Sequence, residues 1–577
     1  VSGEALLGLV GFVAIFTAAG FGVLAAVQGH RPARALAWDA GLAYALGVAA
    51  LGSLLTVAVV VGVPLTLVTI VVAAAVLLVG GTVVGRRRSV AVASPLGAAG
   101  RFEHLITAVL IGVTIVVLEV VFRAARLEGL FGWDAGSFWV PKAEAIYFTG
   151  GIDEWHFSTL GGPSYPPFIP VLQATAFHLF GGVDVVALHL VYWSILAGFV
   201  AAAVRLLTPI ARPSLAWAGV LLVIVADQLA GEAANPQADV LMDLLLGLGV
   251  LYLVSWLLRR EPGLFAGAVV FLSAAALVKR EALLLVGCIG VALAVTEARR
   301  LRTSWPYALA VVVVPVAVTI PWRVWFTRRS LPGDGPEAGP LALLEQLDRV
   351  LPSARLVLET IADPGLWSLI FAVALLSIAA ALASGERRVA PFALVFATLA
   401  CAGFAWVMWS FPSLPLTKTG ALNPIPRLVG AALVPLGLLV PVLLTSVLGR
   451  SRPRIDTAAP RPGAALLIVV AVALGYPAAV LALDGTPRFP STDECAVLAD
   501  PPADGDFLAV YERTASLPRA LEDRDRLAAM GFVGAEVLPD GCGRWKVANP
   551  DVVTVDQARG HADDAARAGF ELRLEER

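Results

Sequence analysis

Residues 131–170 read FGWDAGSFWVPKAEAIYFTGGIDEWHFSTLGGPSYPPFIP, a polar and aromatic island between long apolar runs. Asp134, Lys142, Glu144, Asp153, Glu154 and His156 stand there among Trp133, Trp139, Tyr147 and Trp155. Aromatic rings favour the membrane–water interface, but carboxylates and an amine in one short loop ask for more than anchoring. The island is read as the chemistry-bearing loop of a chain otherwise built to lie in a bilayer.

Working outward, the 577 residues are 58% hydrophobic and 15% charged, with a mean hydropathy of +0.82. Apolar surface in that proportion does not fit inside a water-soluble core, so the chain reads as a polytopic membrane protein. A formal net charge of -2 gives no sign of nucleic-acid binding. Richness in Ala, Val, Leu, Gly and Arg, with little Lys, points to a GC-rich bacterial source such as an actinobacterium, and so to the bacterial plasma membrane.

Apolar spans are expected near 5–27, 39–61, 63–84 and 102–123. Arg31 and Arg34 follow the first span and Arg86, Arg87 and Arg88 the third. The positive-inside rule makes both clusters cytoplasmic, so the fourth span runs outward and the loop 124–165 is extracytoplasmic. The first span is long enough to stay in the membrane and lacks a preceding basic flank, so no cleavable signal is expected. In the second half, ARR at 298–300, ERR at 386–388 and Arg450, Arg452 and Arg454 mark further cytoplasmic turns. Spans near 306–322, 366–384, 391–411, 428–449 and 464–484 connect them. Between 166 and 297 six candidate helices are present where an odd number of crossings is needed. The expectation is a broken or re-entrant pair at 264–297, interrupted by Lys279, Arg280 and Glu281, since broken membrane helices are tolerated where they line a cavity.

The tail is a different material. It reads FLAVYER (507–513), a helix from Ser516, GAEVLPD, RWKVA (544–548), a helix from Thr554, and FELRLEE. This βαββαβ order is that of a ferredoxin-like domain, and its pattern resembles the SPOR domains that bind bacterial cell-wall glycan; a plain structural cap is the alternative. Cys495 and Cys542 fall in this outer region, where a disulfide is compatible with the compartment. The expected organisation is N-terminal transmembrane helices over 1–100, a transmembrane catalytic region over 101–485 and the extracytoplasmic domain over 486–577. The fold class is a mostly α, polytopic helical bundle of about 13 to 15 spans, with a small α+β domain.

Asp134, at the rim of the apolar region, is the first candidate for a general base toward a hydroxyl, with Glu144 in reserve. Tyr165-Pro166-Pro167 closes the loop at a helix entrance, proline suiting a first helical turn. Glu232, Asn235 and Asp239 surround Pro236, Lys279-Arg280-Glu281 interrupts an apolar run, and Arg427 opens a span. Ionisable groups at membrane depth are costly and are functional candidates by default; an internal salt bridge, such as Lys279 or Arg280 with Glu281 or Asp239, is the competing account. Arg427 reads as an anion binder. Zinc spacings, Walker loops, nucleophile elbows and dinucleotide fingerprints are not convincing.

The loop ending in YPP, ADVLMDLLLGLGVLYL (238–253), ALVKREALLL (276–285) and PRLVGAALVPLGLL (426–439) together resemble the GT-C superfamily of membrane glycosyltransferases. The resemblance is especially to bacterial relatives of protein O-mannosyltransferases and the lipid A aminoarabinose transferase. The resemblance covers roughly residues 100–450. It implies a polyprenyl-phosphate sugar donor and inverting transfer at the outer face, with Asp134 as base. Lys142, Lys279, Arg280 and Arg427 would hold the donor phosphate, and Trp133, Tyr165, Glu232 and Asp239 would contact substrate. The acceptor would be a cell-envelope glycan, glycolipid or protein, the C-terminal domain a binder of glycan or a partner protein; a divalent metal is left open. The chain departs from the pattern in two ways. Asp134 is followed by Ala135 where many relatives carry an adjacent acidic pair, and three spans precede residue 100. A transporter or flippase of lipid-linked glycans is the rival reading, although no internal symmetry is visible between halves. A non-catalytic envelope scaffold is the third.

Overall fold

The computed structural model describes residues 3–29, 33–86, 100–127, 130, 134–331, 342–411, 416, 424–448, 507–514, 517–532, 534–540, 545–549, 565 and 572–576. Helices α1 (Gly3–Gln28) and α2 (Ala33–Val60) form a hairpin whose backbones touch. A Cβ on Gly20 would lie 1.6 Å from the Ala43 carbonyl oxygen, and one on Gly47 would lie 1.8 Å from that of Phe16. Close approach through small residues is how helices associate in lipid, where burial of apolar surface supplies no drive. Helix α3 (Leu67–Gly85) packs on α1 the same way, Gly81 meeting Gly22. Helix α4 (Arg101–Leu127) leads into the loop.

Next come a π-helical turn (Ala135–Trp139) and α5 (Val140–Thr149), α6 (Glu154–Thr159), α7 (Phe168–Phe180), α8 (Val185–Leu207), α9 (Pro213–Ile224) and α10 (Asp227–Ala234). They are followed by α11 (Ala238–Arg259), α12 (Pro262–Val278), α13 (Glu281–Thr296) and α14 (Leu301–Arg328). Past the next connection lie α15 (Val350–Ile361), α16 (Pro364–Trp367), α17 (Ile370–Ala383), α18 (Val389–Ser410), α19 (Ile425–Leu428) and α20 (Gly430–Val447). Helices α11 and α20 are apolar all round and almost wholly buried, the mark of a bundle's centre. Among the described residues nine helices are long and apolar enough to cross a membrane, or ten if the pair α9–α10, bent by 70°, is one span. The expected span at 464–484 lies outside the described residues.

One end of the bundle is basic. Arg260, ending α11, pairs with Glu297 at the end of α13. Arg388, before α18, donates to the Leu257 carbonyl (3.3 Å), and Gln28, ending α1, donates to the Tyr252 hydroxyl (2.8 Å). Asp39, early in α2, pairs with Arg205 late in α8 at 2.6 Å. Asp134, Tyr165, Asp239, Lys279 and Arg427 gather at the opposite end.

The segment 264–297, expected as a broken or re-entrant pair, forms α12 and α13. Lys279 meets the start of α11, and Glu297 meets its finish. Helices α12 and α13 are therefore antiparallel, and Lys279-Arg280 is the turn between them. Helix α7 starts with Phe168 against Gly52 of α2 and ends with Leu179 against Gly8, near the start of α1. At 13 residues it belongs with α12 and α13 among the apolar helices shorter than a full span.

The C-terminal domain carries β1 (Phe507–Thr514), helix Leu517–Ala529, β2 (Glu536–Pro539), β3 (Trp545–Asn549) and β4 (Arg573–Glu576). Its sheet is antiparallel with the order β2-β3-β1-β4, the arrangement two interleaved β–α–β units produce. Tyr511, Ala520, Leu527 and Val547 fill the space between sheet and helix, with the helical Ala565. The rest of the expected second helix, and Cys495 and Cys542, lie outside the described residues. Leu517 and Leu521 pack against the transmembrane core.

The α1–α2 contact makes a prediction. Gly47→Val should cost about 1–3 kcal/mol by overpacking, seen as a lower melting temperature in detergent. Gly11→Val on α1, where a Cβ would meet nothing within 4 Å, should leave it unchanged.

Candidate functional site

Asp134 opens the π-helical turn, whose final N–H, from Val140, reaches back to the Ala135 carbonyl. Such single turns of wide helix recur at functional sites. Pro141 then starts α5. Lys142 is 1% exposed and donates to the carbonyls of Gly161 (2.7 Å) and Gly162 (3.1 Å). The rings of Phe138 and Phe157 flank its ammonium at 5.4 and 5.1 Å. It braces the loop's return segment at Gly161 and Gly162, the role in which the structure places it. Glu144 is half-buried within α5. Trp133 lies outside the described residues.

Gly162, at φ +58, turns the chain over the Tyr165 ring. The Tyr165 hydroxyl donates to Glu281 at 2.8 Å, and its ring lies 5.6 Å from that of Trp139. Lys279 and Arg280 stand 5.2 and 5.5 Å from the same ring. Tyr165 is therefore an anchor between the loop and the α12–α13 turn. Ser164 adds to it, accepting from Arg280 (2.9 Å) through its hydroxyl and from Trp322 (3.0 Å) through its carbonyl.

Behind this wall is a ladder of charges. At Lys279 the chain leaves helical geometry (φ -144, ψ 145), and its ammonium reaches Asp239 Oδ1 at 2.8 Å. Arg427 Nη1 lies 2.6 Å from Asp134 Oδ2 and 3.8 Å from Asp239 Oδ2. Four segments distant in sequence thus meet through two cations and two carboxylates. The competing account, a structural bridge between Lys279 and Asp239, holds for that pair. Arg427, expected as an isolated anion binder, is the residue joining the bridge to the loop acid.

Asp243, one turn along α11 from Asp239, was not legible as a site residue. It is fully buried, and neither carboxyl oxygen has a hydrogen-bond partner among the described residues. A Cβ on Gly430 would lie 2.1 Å from Asp243 Oδ2 and 2.5 Å from the Trp367 ring. Trp367 in turn donates to the Pro426 carbonyl at 2.9 Å, fixing the residue before Arg427. Glu232, also buried, accepts from Gln228 at 2.7 Å with one oxygen, while the other has no partner among the described residues. Two acids four residues apart in an otherwise apolar helix were the available signal for Asp243.

A cavity of about 270 Å³ adjoins the ladder on the other side of the Ser164–Pro166 wall. Ser164, Arg280, Thr319, Trp322, Arg323 and Phe326 line it, with Ala276 and Leu283 as its apolar floor. Two guanidinium groups, hydroxyls and indole in one open cavity suit an anionic headgroup with an apolar tail. Along α14, Leu309, Val313, Ile320 and Val324 are exposed, an apolar stripe beside the face that lines the cavity. Thr319 and Trp322 end the expected span at 306–322, and Arg323 stands just beyond it. Among the described residues no group of three His, Cys, Asp or Glu side chains is placed to hold a metal ion.

No protein family, curated protein or solved structure was found to match this chain.

Breaking the ladder by one partner should be worse than removing the pair. Lys279→Met strands Asp239 in a buried site and should cost about 3–5 kcal/mol, while adding Asp239→Asn should recover most of it. Thermal unfolding of the purified variants reads this, and simple additivity would refute it.

Proposed function

We propose that the protein is an integral membrane glycosyltransferase of the bacterial plasma membrane, working on its extracytoplasmic side with a polyprenyl-phosphate sugar as donor. The observation that carries the reading is the pairing of Asp134 with Arg427 at the end of the bundle opposite the basic residues. A carboxylate, two cations and a cavity with two further guanidinium groups there combine a base with anion binding. The positive-inside rule assigns the basic end to the cytoplasm.

In the reaction, Asp134 takes the proton of an acceptor hydroxyl as that oxygen attacks the anomeric carbon. The new C–O bond forms on the face opposite the breaking bond to the phosphate oxygen, which inverts the centre. The leaving lipid phosphate carries away the electron pair, and Arg427, Lys279 and Arg280 offset the charge that grows on it. The cavity lined by Arg280 and Arg323 gives a lipid-linked donor a way in from the bilayer. Trp545 lies 3.7 Å from where a Cβ on Gly136 would stand, so the C-terminal domain neighbours the loop an acceptor glycan would pass.

The test is transfer from a panel of radiolabelled polyprenyl-phosphate sugars by purified protein. Wild type should consume one donor, and Asp134→Asn should lower the rate by about 100- to 10,000-fold, the span of general-base contributions. Donor bound by both proteins but consumed by neither would favour transport of lipid-linked glycans. Orientation is checked separately by single cysteines in a variant lacking the native four. A cysteine at Gly385, near the basic end, should react with an impermeant maleimide only after the cells are opened; one at Gly151 should react in intact cells.

A further inference from the structure

The cation that the proposed donor needs is already engaged. Arg427 is held by Asp134 at 2.6 Å and lies 3.8 Å from Asp239, whose other oxygen is held by Lys279. While the guanidinium holds Asp134 Oδ2, that oxygen is occupied and is not open to an acceptor hydroxyl. The side chains are 25% and 13% exposed, so this pair is neither solvent-screened nor sealed, and a ligand has access to it. Asp239 offers Arg427 a second partner, so the guanidinium does not depend on Asp134 alone to stay charged and buried.

We propose that Asp134 and the phosphate of the donor compete for Arg427. An arriving phosphate draws the guanidinium away from Asp134 and leaves that carboxylate free as a base. The donor must then bind before the acceptor hydroxyl is deprotonated, and Asp134 weakens donor binding even as it enables the reaction. Asp239 and Lys279 act as positioning residues, keeping Arg427 within reach of both. Asp243 lies one turn along α11 from Asp239, against Gly430 at the start of α20, three residues from Arg427. This inference rests on the proposed donor chemistry, and its test needs no turnover.

The experiment is equilibrium binding of a short-chain prenyl phosphate to the purified full-length protein, with inorganic phosphate in parallel. Asp134→Asn should tighten prenyl-phosphate binding by about tenfold. In an Arg427→Ala background the same change should tighten it by less than about twofold, since a double-mutant cycle isolates what passes through Arg427. Asp134→Ser is the second variant, with the same expectation, should the first fail to fold. If tightening is seen with inorganic phosphate as well, the competition is carried by the headgroup alone. Unchanged or weaker binding in the Asp134 variants overturns the competition, and so does equal tightening with and without Arg427, which would be through-space repulsion. Wild-type protein that binds no prenyl phosphate overturns the donor reading together with the inference built on it.

Discussion

Everything at the site end of the bundle depends on keeping two cations and two carboxylates paired in a place where charge is expensive. Lys279, Asp239, Arg427 and Asp134 come from the α12–α13 turn, the start of α11, the entry to α20 and the first loop. Each unpaired alone would cost several kcal/mol of desolvation. Together they lock the three helices to the loop, so removing any one exposes the others. An ion ladder of this kind is weak evidence of stability, because well-packed apolar side chains would serve that end as well. Retaining it makes more sense if the charges are used.

The aromatic and hydroxyl groups around the ladder give it a fixed geometry. Tyr165 ties the loop to Glu281, Lys142 ties the loop to itself, and Trp367 holds Pro426 ahead of Arg427. These contacts set positions through hydrogen bonds to backbone or to neighbouring charges, and leave Asp134 as the loop acid at the junction. Such second partners are what turns a set of residues into a preorganised site.

The helices were legible because lipid demands continuous apolar runs, and the four-stranded sheet because alternation and turn residues mark strands. Asp134, Asp239, Lys279 and Arg427 were legible because charge in an apolar run is conspicuous. Other features were hidden for physical reasons. The segment 168–180 is apolar whether it crosses the bilayer or climbs inside the bundle, since composition reports burial and not direction. Lys142 is spent on backbone carbonyls about twenty residues away, a partner no side-chain pattern announces. Arg427 gave no sign in sequence of the acid it pairs with, because 293 residues separate the two. Arg323 and Trp322 look like an ordinary interfacial belt until α14 is placed beside Arg280.

The unequal lengths of the helices have a geometric consequence. Helix α2 has 28 residues while α12 and α13 have 17 and 16, and their basic ends lie on the same side. At the helical rise the former reaches about 42 Å and the latter about 25 Å. The turn at Lys279 therefore lies below the rim of the bundle, under the loop segment that carries Ser164 and Tyr165.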